Sequence, residues 1–220
     1  MAYNTGNFEK HTTRNPLKRH LVNRLNNQIL TLVGEIVSRN LNTTGQVMRI
    51  LDAGCGEGFI SNFLINKLGD ERIEFVGLEL NAEAIRIAKT KNPKMSFVQG
   101  DICKMPFETE AFDIVICTEV LEHLQSPEAA LSELIRVSRQ AIIVTVPHEP
   151  WFCMGNLMVL KNISRLGNPI DHINHWTFHG FNSFLLEHSK ENWKMGKSFP
   201  WTIAQCAIIN EKNISKLTKK

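Results

Sequence analysis

Residues 47–59 (VMRILDAGCGEGF) contain the feature that most limits how this chain can fold. An apolar run ends at Asp52, and glycine then occupies every second position, at 54, 56 and 58. Apolar residues recur at helical spacing directly afterwards, from Ile60 to Leu68. Because glycine has no Cβ atom, such a loop can adopt positive φ and can approach a ligand closely. The stretch therefore predicts a strand, a tight turn at a ligand site, and a helix.

Strands and helices alternate through the following hundred residues, which predicts a doubly wound α/β fold. Several strands are continuous apolar runs, such as residues 114–117, as is typical of a parallel sheet covered on both faces. Two late strand-like runs, 194–199 and 202–209, predict an antiparallel C-terminal hairpin at the edge of a mostly parallel, seven-stranded sheet. The other predicted elements are strands at 47–52, 73–80, 95–99, 112–117 and 140–146, and helices at 57–68, 82–91, 127–137 and 181–189.

A long amphipathic pattern precedes the sheet. Pro16 suits a first helical position, and apolar residues then repeat at spacings of three and four as far as Val37, which predicts one or two helices. We therefore expect residues 1–45 to form an N-terminal helical cap and residues 46–220 to form the ligand-binding domain. An irregular insertion rich in histidine and tryptophan is expected at about residues 148–180.

Composition excludes several classes of protein. The net charge is only +3 and no basic stripe is interleaved with aromatic residues, which argues against nucleic acid as a partner. No apolar run approaches the roughly 20 residues that span a bilayer. The five cysteines include no C-x-x-C pair, and the N-terminus has no secretory signal pattern. We therefore expect a protein of the reducing cytoplasm with free thiols and without a membrane partner.

Polar residues follow the apolar runs at the predicted strand ends. Open parallel sheets bind ligands at the carboxyl ends of their strands. Glu79 could accept hydrogen bonds from two ribose hydroxyls, and Asp101 could accept one from an adenine amino group while Ile102 packs on the ring. Glu119 is expected to face the reaction space. Taken singly, Glu79 could instead be a solvated residue or cap the next helix, and Asp101 could simply close a turn.

Together these stretches resemble the successive motifs of the class I S-adenosylmethionine-dependent methyltransferases. The resemblance covers about residues 47–147 and includes the D-x-G-x-G-x-G loop, Glu79, residues 99–101 and residues 114–124. Within that family it is nearest to type 11 and ubiquinone-type O-methyltransferases, although the Pro-Gly-Gly turn that many members have before the fifth strand is missing. It implies S-adenosylmethionine as cofactor and implies the cofactor-binding residues Asp52, Gly54, Cys55, Gly56, Glu79, Leu80, Asp101, Ile102 and Glu119.

The sequence of the glycine loop distinguishes a site for S-adenosylmethionine from a site for a nucleotide. A dinucleotide site would place its third glycine where this chain has Phe59. No lysine or arginine lies between Asp52 and Ile60, and acceptor groups suit a sulfonium and an ammonium better than a pyrophosphate. Both observations weigh against an NAD-dependent oxidoreductase, which is the second enzyme class considered.

The stretch from Glu119 to His123 (EVLEH) is the second informative motif. His123 has a suitable ordinary pKa for a general base, which a hydroxyl acceptor would need, although the motif could instead only position the loop. On a helix, Glu119, Glu122 and His123 would share one face and could hold a divalent metal with a later histidine. This pattern, with residues 171–177, resembles small-RNA 2′-O-methyltransferases of the Hen type, but we expect a site without metal.

The acceptor side is predicted to involve His148, Trp151, His175 and Trp176, because loops after the fifth strand commonly carry function. The tryptophans could equally anchor the insertion on the core. We also expect residues 8–11 to fold over the cofactor. The favoured function is transfer of a methyl group to a small molecule, at an oxygen atom. The alternatives are a metal-assisted RNA 2′-O-methyltransferase, an NAD-dependent oxidoreductase, and a cofactor-binding scaffold without transfer activity.

Overall fold

The computed structural model describes residues 10–158, 166–167, 169 and 171–208. A seven-stranded sheet with the order β3-β2-β1-β4-β5-β7-β6 forms its centre. Strands β1 to β5 are parallel, and β7 runs antiparallel to both β5 and β6. The predicted fold class is therefore confirmed. The strands are β1 (Met48–Ala53), β2 (Ile73–Glu79), β3 (Ser96–Gln99), β4 (Phe112–Thr118), β5 (Ser138–Pro147), β6 (Trp193–Ser198) and β7 (Trp201–Ala207).

Helices cover both faces of this sheet. They are α1 (Pro16–Thr44), α2 (Phe59–Leu68), α3 (Ala82–Lys91), α4 (Pro127–Val137), α5 (Trp151–Met158) and α6 (Phe178–His188), with a 3₁₀ turn at Leu121–His123. The long amphipathic pattern forms one helix, α1, which begins where the Asn15 side chain accepts hydrogen bonds from the backbone N–H groups of Leu17 and Lys18. It ends at Gly45, which has a φ of 65°.

Most elements lie within two residues of their predicted bounds, and two helices differ by more. Helix α5 lies in a segment expected to be irregular, because eight residues that include a glycine show too little periodicity for a prediction. Helix α6 begins three residues earlier than expected, because the Thr177 hydroxyl caps it by accepting a hydrogen bond from Gly180 N at 3.0 Å. The end of the last predicted strand, residue 209, lies outside the described residues.

Adjacent residues of each central strand point into two different cores. Ile50 and Ile114 belong to a cluster that also contains the buried residues of α1 and α2. Leu51 and Val115 belong to the cluster on the opposite face, with buried residues of α4 and α6. Helix α1 thus packs into the same core as the sheet. The division into a cap (1–45) and a ligand-binding domain (46–220) stays a prediction.

The order of the strands creates the ligand edge of the sheet. The chain passes from β1 outward to β2 and β3, and then returns to place β4 on the other side of β1. In such a sheet the loops after β1 and β4 separate, and a crevice opens beyond their carboxyl ends. The residues that the sequence analysis selected at the ends of β1, β2, β3 and β4 therefore lie along one edge.

No helix in the described part of the chain is both long and apolar enough to cross a membrane. The five cysteines all lie within the described residues, and none of them forms a disulfide.

Candidate functional site

The glycine loop after β1 adopts backbone conformations that favour glycine. Gly54 has a φ of 79°, and a Cβ atom added there would lie 2.5 Å from Cγ2 of Val120. Gly56 also has positive φ, at 52°. The N–H groups of Gly54 and Cys55 both donate to the carbonyl of Leu78, at 2.8 and 3.0 Å. The loop is therefore fastened to β2 on one side and packs closely against the segment after β4 on the other.

Glu79, the last residue of β2, joins the glycine loop to the start of α3. Its Oε2 accepts a hydrogen bond from Gly56 N at 2.9 Å, and its Oε1 accepts one from Asn81 N at 2.8 Å. Asn81 is the N-cap residue of α3, so the capping interpretation of Glu79 is partly correct. Because each carboxylate oxygen has more than one acceptor site, these bonds leave capacity for ribose hydroxyls.

The loop after β3 lies next to the end of β2, because Glu79 and Gln99 are partners in the parallel register. Leu80 is 67% exposed, whereas Ile102 is buried. Asp101 is exposed, and its Oδ1 accepts a hydrogen bond from Cys103 N at 2.8 Å. Asp101 thus closes a turn, as the simpler interpretation held, and remains accessible to a ligand.

Asp52, at the end of β1, is fully buried. Its Oδ2 accepts a hydrogen bond from the Ser61 hydroxyl on α2. Burial raises the pKa of Asp52 to about 7, although the Ser61 hydrogen bond opposes this shift. Asp52 therefore holds α2 against β1 in this structure, and its contact with a cofactor stays a prediction.

Glu119, just after β4, meets the N-terminal segment. Its carboxylate forms an ion pair with the Lys10 ammonium, and the ring of His11 stacks on Phe59 at 4.7 Å. Burial alone would raise the pKa of Glu119, but Lys10, Trp201 and His11 together outweigh burial and lower it. Residues 10 and 11 therefore cover the glycine loop, while residues 8 and 9 lie outside the described chain. The contact of Lys10 with Glu119 has no signature in the sequence, because no local pattern pairs residues so far apart.

The helical face expected for Glu119, Glu122 and His123 does not form. Glu119 has a φ of 55° and precedes a 3₁₀ turn, and its carboxylate pairs with Lys10. His172, from the later segment, takes its place. One ligand atom each from Glu122, His123 and His172 lies within 4.8 Å of the others.

Glu122 has an unusual environment. It is 1% exposed, and neither carboxylate oxygen has a hydrogen-bond partner among the described residues. Burial raises its pKa well above the ordinary value. Its neighbour His123 contacts the Asp171 carbonyl through Nδ1 at 2.9 Å. A carbonyl can only accept a hydrogen bond, so Nδ1 carries the proton and Nε2 is left as an acceptor.

The predicted acceptor-side residues divide into two groups. Trp151 is 46% exposed and lies 6.4 Å from the Phe199 ring, and His148 lies 6.2 Å from the Phe178 ring. His175 is also exposed. Trp176, in contrast, packs against the aromatic rings of α6 at 5.2 and 5.4 Å. Trp176 therefore anchors the insertion on the core, whereas Trp151 and His175 are exposed and His148 is half-buried.

Comparison with known proteins agrees with this architecture. Residues 51–144 match the model of a family described as a methyltransferase domain. An uncharacterised methyltransferase of Schizosaccharomyces pombe is 40% identical over 102 residues, which cover 41% of this chain and 36% of that protein. The chain thus matches little more than a third of this relative's length.

Solved structures resemble a larger part of the chain. The methyltransferase domain of bacterial CtHen1-C has a TM-score of 0.65 at 16% identity, over 86% of this chain and 100% of that domain. The plantazolicin methyltransferase BpumL, solved with S-adenosylhomocysteine, has a TM-score of 0.65 at 17% identity, over 91% of this chain and 93% of that protein. At these identities the likeness concerns the fold.

The strand order, the glycine loop and the matched family define the class of protein. Residues 51–144 carry the match to a methyltransferase domain, and the strand order agrees with the fold of the class I S-adenosylmethionine-dependent methyltransferases.

The buried Asp52 carboxyl makes a prediction about stability. Since its pKa rises from 3.8 to about 7 on folding, the folded protein holds this proton more tightly than the unfolded chain does. The resulting stabilisation is complete below about pH 4 and is lost as the pH rises through about 7. We expect the Tm of the wild type to fall across this range relative to Asp52→Asn, whose amide does not titrate. Thermal unfolding of both proteins from pH 4 to 8 measures this, and parallel curves would contradict it.

Proposed function

We propose that this chain transfers the methyl group of S-adenosylmethionine to an oxygen atom of a small-molecule acceptor. The observation that carries the proposal is the double hydrogen bond of Glu79, which joins the glycine loop to the end of β2. Asp101 follows β3, whose last residue Gln99 is the register partner of Glu79. Two carboxylates and a glycine backbone beside a family-matched fold support an adenosyl ligand over a nucleoside phosphate.

Each part of the cofactor has a proposed partner. Glu79 accepts hydrogen bonds from the ribose hydroxyls, and Asp101 accepts one from the adenine amino group. Leu80 and Ile102 flank the adenine ring, and the backbone of Gly54, Cys55 and Gly56 holds the methionine part. Asp52, which lies at the end of β1 directly before this loop, is proposed to support it.

Glu119 is proposed to balance positive charge on the cofactor. In the structure its carboxylate pairs with the ammonium of Lys10, which supports the idea that this position suits a cation. S-adenosylmethionine carries both an ammonium and a sulfonium. Bound cofactor would therefore compete with Lys10 for Glu119, or share it.

His123 is proposed as the general base. The sulfonium already activates the methyl group, so the protein must chiefly align the acceptor and remove its proton. The contact of Nδ1 with the Asp171 carbonyl supports this role, because it leaves Nε2 able to take a proton. The accessible side chains His148, Trp151 and His175 are proposed to bind the acceptor. Trp176 is proposed to support them from the core.

The cofactor assignment can be tested by calorimetry with S-adenosylhomocysteine and with NAD. We expect the first to bind and the second not to bind. Glu79→Gln should lower the affinity for S-adenosylhomocysteine by about tenfold or more, because one charged hydrogen-bond acceptor is lost. Glu83→Gln, at an exposed carboxylate that pairs with Arg86 on α3, is the matched control and should bind normally. Tight binding of NAD in place of S-adenosylhomocysteine would favour the oxidoreductase alternative.

Catalysis is tested separately from binding. We expect labelled S-adenosylmethionine to label a compound in a metabolite extract. Replacing His123, His148 or His175 by alanine should lower turnover while the affinity for S-adenosylhomocysteine stays within about twofold, since none of these groups is proposed to touch the cofactor. Loss of cofactor affinity in these variants would refute the assignment. Cofactor binding without any labelled product would favour the scaffold alternative.

Metal-assisted transfer to an RNA 2′-hydroxyl is a second candidate function. One observation favours it: both carboxylate oxygens of Glu122 are buried, have no hydrogen-bond partner in the described part of the chain, and lie near His123 and His172. A divalent ion would satisfy such a group, and would lower the pKa of a bound hydroxyl. The small net charge of +3 argues against RNA as the acceptor.

This candidate predicts labelling of a short RNA that depends on its 2′-hydroxyl. Transfer should disappear when the terminal nucleotide is 2′-deoxy, when a chelator is added, or in Glu122→Gln. An RNA that remains unlabelled in the presence of Mg²⁺ or Mn²⁺, while small molecules are methylated, would dispose of the second candidate.

A further inference from the structure

Backbone hydrogen bonds hold the segment of residues 171–176 between the 3₁₀ turn and the end of β5. The N–H groups of Ile173 and Asn174 both donate to the carbonyl of Glu122, at 2.8 and 2.9 Å. The N–H of Glu149 donates to the carbonyl of Trp176 at 2.9 Å. These bonds bring the side chains of this segment beside Glu149, a residue that the sequence analysis gave no role.

Glu149 is a buried carboxylate with an unsatisfied oxygen. It is 8% exposed, and its Oε2 accepts a hydrogen bond from Cys153 N at 3.2 Å. Its Oε1 has no hydrogen-bond partner among the described residues, and neither has Nδ1 of His172 nearby. A buried polar atom without a partner is costly, and the cost is greatest for a charged group. A ligand that coordinates these atoms or forms hydrogen bonds with them would remove this cost.

The distances fit a single small cation. One ligand atom each from Glu149, His172 and His175 lies within 4.8 Å of the others. Oε1 of Glu149 and Nδ1 of His175 are 3.9 Å apart. Two donors that bind one zinc ion at about 2.0–2.2 Å are themselves separated by roughly 3 to 4 Å. Only small movements of these side chains would be needed.

We propose that Glu149, His172 and His175 form a binding site for a divalent transition-metal ion such as zinc, on the acceptor side of the methyltransferase domain. Two imidazoles and one carboxylate suit zinc and related ions better than magnesium, which prefers oxygen ligands. This site differs from the group of Glu122, His123 and His172 discussed above. The two groups share His172, so the residues that are not shared must distinguish them.

The exposure of His175 indicates what such an ion would do. Three protein ligands leave a fourth position of a tetrahedral ion open, and His175 is at the solvent side of the group. A hydroxyl of the acceptor bound at that position would lose its proton more readily. This consequence rests on the proposed methyl transfer, whereas the binding of the ion does not.

Metal titration of the full chain tests the proposal. Protein treated with chelator and then desalted is titrated with Zn²⁺ by calorimetry, and Co²⁺ is used as a spectroscopic probe of nitrogen ligands. We expect Glu149→Gln and His175→Asn each to lower the Zn²⁺ affinity by at least about tenfold. Even the loss of a residue that only hydrogen-bonds to a metal ligand typically lowers metal affinity by that factor. His179→Asn, at another exposed histidine, is the matched control and should bind like the wild type.

The variants Glu122→Gln and His123→Asn separate the two groups. Zinc affinity that survives in both, but falls in Glu149→Gln and His175→Asn, supports the proposal. A loss confined to Glu122→Gln and His123→Asn would overturn it, as would a wild type that binds no Zn²⁺. Unchanged Zn²⁺ affinity in Glu149→Gln would also contradict the proposal, and Glu149 and His175 would then form only an ordinary ion pair. Titrating the same samples with S-adenosylhomocysteine tests the proposed function independently, because its failure would leave the zinc result unaffected.

Discussion

The carboxylate of Glu79 makes the interaction on which the ligand edge of this sheet depends. It accepts one N–H from the glycine loop after β1 and one from the N-cap residue of α3. A loop whose glycines have positive φ has many alternative conformations, and a fixed acceptor selects one of them. The parallel register of β2 with β1 and β3 then aligns the neighbouring strand ends with this anchor.

Buried acids are concentrated near this edge, and each is accommodated differently. Asp52 has a serine hydroxyl as its partner and a raised pKa. Glu119 has the ammonium of Lys10 and a lowered pKa. Glu122 and Oε1 of Glu149 have no partner among the described residues. Oδ1 of Asp52 likewise has no hydrogen-bond partner among the described residues, so buried carboxylate oxygens that a bound ligand could satisfy lie both at the glycine loop and at the insertion.

The general outline of this protein could be predicted from its sequence. Strand and helix periods, the glycine loop and the acids at the strand ends are local features, and they sufficed for the fold class, for most element positions and for the family. The helix at Trp151–Met158 was missed, because short helices carry little periodic signal. The irregular turn after β4 was also missed, because the positive φ of Glu119 has no sequence signature.

Sequence alone determined which residues stand at the carboxyl ends of the strands, because each apolar run and the polar residues that follow it are adjacent in the sequence. The tertiary structure decided which of those residues meet. Lys10 reaches Glu119 across 109 positions, and His172 replaces Glu119 beside Glu122 and His123. Such pairs are separated by whole elements, and only the packing of those elements and the pairing of strands brings them within reach.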